Sequence, residues 1–250
     1  MTLLIDIGNT RIKWAVLAGG ELTHQHATAH NAWTAQDCAA AFGALPQPRR
    51  IFVSNVGGER IGALVREGAI SLWGVEPTFV QSSAEAAGVR NAYPDVWRLG
   101  VDRWVAMIGA YAMHHCAVCV VSIGTAATID GVDGSGRHLG GVIVPGPDLM
   151  VESLLKNTSG IARRAETGHI GTDVFANNTL GAIHQGALNA VAALVERAAA
   201  SMEAKLGEQP RLVLTGGAAK EVGRLIRLPY VATPDLVLRG LAVMAENAAA

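Results

Sequence analysis

The sequence has little of what several large classes of protein need. It carries a net charge of −1 and no long run of Lys or Arg, so it lacks the basic surface by which proteins bind nucleic acid. No apolar window approaches the roughly 18–20 residues of a membrane-spanning helix, and the first residues contain no basic segment before an apolar one. We therefore expect a cytoplasmic protein that binds neither nucleic acid nor a membrane.

Cysteine is also scarce. The chain has three cysteines, an odd number in a sequence without an export signal, so we expect thiols rather than disulfides. Cys116 and Cys119 have the two-residue gap of zinc ligands and follow His114 and His115. However, the apolar run that holds them is typical of a buried strand, in which positions three apart point to opposite faces. Packed core is therefore favoured over a metal site.

Strands and helices alternate along the chain. Half of the residues are apolar, and 250 residues are enough to bury a core without disulfides or metals. Apolar periodicity in the first hundred residues predicts three hairpin-linked strands, then helix, strand, helix and strand, over residues 3–8, 11–17, 21–29, 34–45, 49–56, 59–73 and 76–81. Three more strands are predicted over residues 117–124, 126–133 and 138–146. This is an α/β pattern.

The second half repeats the start of the first. The turn "GNT" at residues 8–10 corresponds to "GTA" at residues 124–126, and a second Gly-containing turn follows at a similar distance in both halves. We infer two domains of the same topology, residues 1–115 and 116–250, joined by a helix predicted over residues 102–113. The cleft between them is the expected active site.

Asp6 stands in the apolar run "LLIDI", where a carboxylate is unfavourable unless it is paired. The turn after it predicts its role. Gly8 lets backbone N–H groups approach an anion, while Asn9 and Thr10 add neutral donors. Lys13 adds a positive charge. Such a hairpin suits phosphate groups, and Asp6 would face them across a cation such as Mg²⁺. A carboxylate paired within the protein is the alternative.

A second turn, "IGTAAT", offers Gly124, Thr125 and Thr128 and no charge, as suits a second phosphate-binding turn if a metal neutralises the first. A further strand ends in "TGG". Two such hairpins and this last turn resemble the actin-like ATPase superfamily, which includes acetate and sugar kinases, Hsp70 and actin. The resemblance implies two duplicated ribonuclease H-like domains, with ATP and the active site in the interdomain cleft.

Six ordered motifs make the resemblance more specific. They are "DIGNTRIKWAV", "YPDVWRLGVDRW", "IGTAATID", "GGVIVPG", "NNTLGAIHQGA" and "LTGG". Over roughly residues 3–217 the chain resembles the type III pantothenate kinases, which phosphorylate pantothenate to 4′-phosphopantothenate with ATP in the first step of coenzyme A biosynthesis. The resemblance implies a phosphotransferase to an alcohol group that uses ATP and Mg²⁺ and forms a homodimer.

By this resemblance the site residues have three tasks. Asp102 is the general base. ATP is bound by the first hairpin and the second turn, through Asp6, Ile7, Gly8, Asn9, Thr10, Arg11, Ile12, Lys13 and Thr125, and Asp6 also binds the metal. Pantothenate is bound by Tyr93, Gly100, Val101, Asp102, Arg103 and Thr179. In such enzymes the last of these can reach the pocket from the neighbouring subunit.

These residue types suit the chemistry. A primary hydroxyl is a poor nucleophile, and a carboxylate within hydrogen-bond reach, here Asp102, can accept its proton. Arg103 can make a paired contact with the pantothenate carboxylate. The alternative for "DRW" is a helix cap followed by a surface Arg.

Ser122 departs from the family pattern. Many relatives have Asp in a "DxGT" motif at this position, where it helps to hold a monovalent cation, whereas this chain has "SIGT". Dependence on K⁺ or NH₄⁺ is therefore left open.

Three other functions compete with this one. Another small-molecule kinase of the superfamily is disfavoured by "LGVDRW" and "NNTLGAIHQG". A nucleotide-binding regulatory or accessory protein without turnover would be favoured by loss of Asp102, Asp6 or Lys13, and all three are present. A nuclease of ribonuclease H-like topology would need clustered carboxylates and a basic track, and the sequence has neither.

Overall fold

The computed structural model describes residues 1–248, in two compact units. One unit contains Met1–His115 together with the chain from Asp235 onward, and the other contains Cys116–Pro234. Within the described residues, no helix is both long and apolar enough to span a membrane.

The first unit is built on a five-stranded sheet in the order β3-β2-β1-β4-β5. The three hairpin strands pair antiparallel, and β4 and β5 extend the sheet parallel to β1. In chain order its elements up to residue 115 are β1 (Thr2–Ile7), β2 (Arg11–Ala18), β3 (Glu21–Ala29), α1 (Ala35–Phe42), β4 (Arg50–Asn55), α2 (Glu59–Trp73), β5 (Thr78–Phe79), β6 (Glu85–Ala86), β7 (Val89–Arg90), a 3-10 helix (Val96–Arg98) and α3 (Val101–His114).

The second unit repeats this sheet. Its order is β10-β9-β8-β11-β12, again with an antiparallel three-stranded meander and two parallel strands. Its elements are β8 (Val118–Ile123), β9 (Ala126–Val132), β10 (His138–Pro145), α4 (Pro147–Asn157), α5 (Ser159–Ala165), α6 (Thr179–Leu206), β11 (Arg211–Thr215), α7 (Ala219–Gly223) and β12 (Tyr230–Ala232). The shared order and strand directions confirm the α/β fold of two duplicated halves predicted from the repeated turns.

Strand β1 is buried on both faces, because helices cover each side of the first sheet. Leu3, Ile5 and Ile7 pack in a core with residues of α1 and α2. Leu4 points to the opposite face, where it packs with Val105 of α3. Asp6 lies two positions beyond Leu4 and therefore shares the face of β1 on which α3 packs.

The last described helix, α8 (Leu236–Asn247), was expected with the second half of the chain but packs within the first unit. Two glycines allow α8 to pack closely against α3 of the first unit. A Cβ on Gly109 of α3 would lie 2.8 Å from the carbonyl oxygen of Leu236, and a Cβ on Gly240 of α8 would overlap the carbonyl of Val105. The two helices therefore pack backbone against backbone, and only glycine at both positions permits this approach.

Candidate active site

Asp6 lies on β1 between two polar neighbours. It is directly opposite Lys13 on β2 and Ser54 on β4, so all three side chains point to the same face of the sheet. Asp6 is only 8 % exposed. The structure therefore places a carboxylate in the interior with one cationic and one hydroxyl neighbour, in line with the sequence analysis.

Burial raises the pKa of Asp6 from its ordinary value of 3.8 to about 7. Lys13 opposes this shift, the negative charge of Asp102 adds to it, and the Ser54 hydroxyl lowers the pKa slightly. Within the described residues, the Oδ1 atom of Asp6 is buried without a hydrogen-bond partner. A carboxylate oxygen with unused acceptor capacity, near a second carboxylate, is a suitable donor set for a divalent cation.

The hairpin between β1 and β2 brings the predicted phosphate-binding residues together. The Gly8 N–H donates to the Arg11 carbonyl at 2.9 Å, which closes the turn. Asn9, Thr10 and Arg11 are exposed. The Arg11 guanidinium donates to the Ala27 carbonyl at 3.4 Å, so Asn9 and Thr10 are the residues of the tip whose side chains are offered to a ligand. Ile7 and Ile12, also predicted in the ATP site, are buried and paired across the hairpin, so they offer backbone and packing only.

Asp102 is the second residue of α3, and the N-cap position itself is Gly100. Its Oδ1 accepts the Arg103 N–H at 2.9 Å, which fixes the carboxylate at the N-terminus of the helix, where a negative charge is favourable. A Cβ on Gly100 would lie 2.8 Å from this oxygen. Gly100 therefore leaves the space that the Asp102 carboxylate occupies.

Arg103 and Tyr93 form the rest of the predicted pantothenate site in this unit. Arg103 is 6 % exposed, so it is not the surface residue of the alternative interpretation. Its Nη1 donates to the Tyr93 hydroxyl at 3.4 Å, and its guanidinium lies 5.9 Å from the centre of that ring. Asn91 holds the loop by accepting the Tyr93 N–H at 2.9 Å. Val101, the first residue of α3, is half-buried beside them.

The second unit contains the matching turn between β8 and β9. The Gly124 N–H donates to the Ala126 carbonyl, and the Thr125 carbonyl accepts the Gly146 N–H at 2.8 Å. Thr125 itself is exposed. A Cβ on Gly146 would overlap the Gly124 carbonyl, so the start of α4 packs directly against this turn. Gly146 belongs to the motif "GGVIVPG", and its packing explains why the motif ends in glycine.

Ser122 occupies in the second sheet the place of Asp6 in the first. It lies opposite Thr128 on β9 and Thr215 on β11, as Asp6 lies opposite Lys13 and Ser54. The three positions in the second sheet therefore carry hydroxyls and no charge.

Thr179 is the first residue of α6 and is half-buried. The preceding Asn178 caps the helix by accepting the Gly181 N–H at 2.9 Å, and its amide donates to the His169 carbonyl at 2.9 Å. Phe175, four residues before Thr179, is 93 % exposed. Thr179 therefore follows a segment that presents a large apolar side chain to solvent.

A family model described as type III pantothenate kinase matches residues 2–201 of the chain. The chain belongs to this family. The type III pantothenate kinases of Azoarcus sp. (strain BH72) and Aromatoleum aromaticum are each 42 % identical to it over its whole length, and the matches cover 92 % and 100 % of those relatives.

A solved structure supports the fold of the kinase. A Sinorhizobium meliloti protein, named as a candidate 2-dehydro-3-deoxygalactonokinase, superposes with a TM-score of 0.65 at 16 % identity, covering 99 % of each chain. The α/β fold of two duplicated halves, predicted from the two hairpins, is confirmed.

The two cysteines of the kinase with zinc-like spacing lie in different surroundings. Cys119 is fully buried in β8, and burial, with the nearby Asp130, raises the pKa of its thiol to about 12. Cys116 is half-buried and lies before β8, outside the strand predicted over residues 117–124. The residues that the structure describes contain no cluster of three or more His, Cys, Asp or Glu side chains that could hold a metal.

One polar residue against the first hairpin of the kinase was not predicted. His30 follows β3, is 3 % exposed and contacts the turn that contains Gly8. No spacing in the sequence distinguishes His30 from the other histidines, because its contact with the hairpin depends on how β3 returns along β2.

Proposed function

We propose that Asp102 and Asp6 provide the chemistry by which this kinase phosphorylates pantothenate with ATP, giving 4′-phosphopantothenate in the first step of coenzyme A biosynthesis. The observation that carries the proposal is that both acids lie on the same side of the first sheet, close enough for the charge of Asp102 to raise the pKa of Asp6. Two acids in such different surroundings can take different roles.

Asp102 is the general base in this proposal. A carboxylate can accept the proton of the pantothenate hydroxyl as that oxygen attacks the transferring phosphoryl group. The Arg103 N–H and the space beside Gly100 support this role, because they hold the carboxylate in one place before substrate arrives. A positioned base loses less conformational freedom during the reaction.

The hairpin from Asp6 to Lys13 holds ATP in this proposal, together with Thr125 in the second unit. Asp6 would hold Mg²⁺, which when bound neutralises charge on the phosphates and on the transferring group. The unpartnered, buried Oδ1 of Asp6 supports this assignment. Lys13 adds a positive charge, while exposed Asn9, Thr10 and Thr125 offer neutral donors.

Pantothenate recognition is assigned to Tyr93, Gly100–Arg103 and Thr179. The Arg103 guanidinium would bind the carboxylate of pantothenate, since its planar donors match a carboxylate. Its contact with Tyr93 supports this, because it limits the guanidinium to one region before binding.

A coupled assay for ADP release, with and without pantothenate, tests the proposed function. Pantothenate should be required for ADP release, and 4′-phosphopantothenate should form in equal amount. The alternative, a nucleotide-binding regulatory protein without turnover, predicts ATP binding without pantothenate-dependent ADP release.

We expect turnover to respond weakly to K⁺, because Ser122 offers a hydroxyl where many relatives have an acid, and the residues opposite it, Thr128 and Thr215, add only hydroxyls. The measurement is turnover with KCl replaced stepwise by choline chloride at constant ionic strength. Ser122→Asp is the matched variant and should increase the response. An absolute requirement for K⁺ in the unmodified kinase would contradict the prediction and assign the site to other oxygens.

We also expect a homodimer, with Thr179 completing the substrate site across the interface. The apolar side chains before it support this, since Ile170, Val174 and Phe175 are 54 %, 58 % and 93 % exposed, and such patches mark association surfaces. Light scattering should give twice the chain mass. Phe175→Ser should shift the kinase toward monomer and lower its activity, whereas Ile70→Ser, at a 44 % exposed site on α2, should change neither. A fully active monomer would refute the shared site.

A further inference from the structure

His30 is bonded to the tip of the first hairpin at two points. Its Nε2 lies 2.6 Å from the Gly8 carbonyl oxygen, and its backbone N–H donates to the Thr10 carbonyl at 3.3 Å. A carbonyl can only accept, so Nε2 must carry the proton and donate. Within the described chain, Nδ1 is buried and makes no hydrogen bond. Nε2 is therefore the ring atom that donates to Gly8.

The direction of this bond determines where the next donor points. Every peptide bond in the described residues is trans, and in a trans peptide the carbonyl and the following N–H point in opposite directions. Because the Gly8 carbonyl points at His30, the N–H of Asn9 points away from His30. Asn9 is exposed, so this N–H is directed out of the protein at the tip of the hairpin.

Neighbouring groups fix both partners. Gly57 packs against the Gly8 carbonyl so closely that a Cβ on Gly57 would lie 2.6 Å from the oxygen. On the other side, Arg60 of α2 donates to the carbonyls of His30, Asn31 and Trp33, at distances of 3.4, 3.2 and 2.9 Å. The loop after β3 is thereby tied to α2, and His30 has little freedom to move away from the hairpin.

We propose that His30 is a positioning residue for ATP, which holds the Gly8–Asn9 peptide in the orientation that directs the Asn9 N–H at a phosphate oxygen. The proposal rests on the proposed role of the hairpin in binding ATP. Backbone N–H groups that are oriented before the anion arrives bind it without a reorganisation cost. His30 itself lies behind the peptide and does not contact the nucleotide.

Two amide variants of different reach test this proposal. Gln extends its N–H donor to about the position of Nε2, whereas Asn places its donor about where Nδ1 lies, out of reach of Gly8. His30→Asn and His30→Ala should raise the KM for ATP about tenfold, as expected for loss of one hydrogen bond to an oriented peptide. The KM of His30→Gln for ATP should stay within about threefold of that of the unmodified kinase. The KM for pantothenate should be unchanged in all three.

His26→Ala is the matched control, since it removes an exposed imidazole from β3 and should leave the KM for ATP unchanged. Lys13→Met, in the hairpin itself, separates the possible outcomes. If Lys13→Met raises the KM for ATP and His30→Asn does not, the inference on His30 is wrong and the hairpin assignment stands. If neither variant affects ATP, both are wrong.

A purely structural role for His30 predicts a different pattern. Both KM values and the melting temperature would then change together, and His30→Gln would not restore ATP binding selectively. That result would overturn the proposal. If His30→Ala does not fold, the comparison of Asn with Gln still decides, because both keep a buried polar side chain.

Discussion

Asp102→Asn should lower kcat by about 10² to 10⁴, the usual cost of losing a positioned general base. Asparagine cannot take up the hydroxyl proton, but its side-chain oxygen can still accept the Arg103 N–H that fixes residue 102. The KM values for ATP and pantothenate should therefore change little, because the lost interaction acts in the transition state. Steady-state kinetics with each substrate varied in turn measures this separation.

Folding is the control for this variant. The Asp102→Asn substitution at the start of α3 should change the free energy of unfolding by no more than about 1 kcal/mol, as is usual for conservative changes near a helix N-terminus. Asp235→Asn provides a matched acid, at the N-cap of α8 in the same unit, and should keep full turnover. If Asp102→Asn has near-normal turnover, Asp102 is not the base.

Asp6→Asn should impair ATP binding and turnover together. The variant keeps the size of the side chain but loses the charge that would hold Mg²⁺, so half-maximal activity should need at least about tenfold more Mg²⁺. The KM for ATP should rise at fixed Mg²⁺. A kinetic titration of Mg²⁺ at several ATP concentrations tests this, with Asp37→Asn, an acid at the N-terminus of α1, as the control. An unchanged Mg²⁺ requirement would contradict the assignment.

The same substitution should stabilise the fold at neutral and alkaline pH when no divalent cation is present. The pKa of Asp6 is about 7 in the folded chain against an ordinary 3.8, so the folded state binds the proton more tightly and wild-type stability falls as pH rises from about 4 to about 7. At 1.36 kcal/mol per pKa unit the full loss is about 4 kcal/mol. The Asp6→Asn variant has no ionisable group at residue 6, so its stability lacks this pH dependence. The melting-temperature difference between variant and wild type should therefore grow as pH rises from about 4 to about 7. A constant difference would mean that Asp6 titrates normally.

Local patterns were sufficient for the parts of the fold that depend on neighbours in sequence. Alternating residues predicted the β1–β3 meander, and the repeated Gly turns predicted the second copy. Asp6 was identifiable because an acid in an apolar strand is costly, a cost that one residue and its neighbours reveal. Ser54, which lies opposite Asp6 on β4, was not identifiable as its neighbour. The two strands are separated by more than forty residues in the sequence, and their register depends on the whole sheet.

Contacts between backbones were the least predictable. Gly109 and Gly240 carry no periodic signal, because a missing side chain has no hydrophobicity to repeat, yet together they decide the unit to which α8 belongs. His30 was missed for a related reason. Its partner is a carbonyl, which every residue has, so no second side chain in the sequence identifies the pair.

The discontinuous first unit affects the order in which the kinase can fold during its synthesis. During synthesis, the five strands of the first sheet and α3 leave the ribosome well before α8. The entire second unit is synthesised after α3 and before α8. Until residues 236–247 arrive, the groove beside Gly109 and the apolar surface around Leu4 and Val105 lack their cover. The second unit, being continuous, can fold first. The nascent chain therefore carries Asp6 and Asp102 from early in translation, but the helix that bears Asp102 acquires its final packing only when α8 docks.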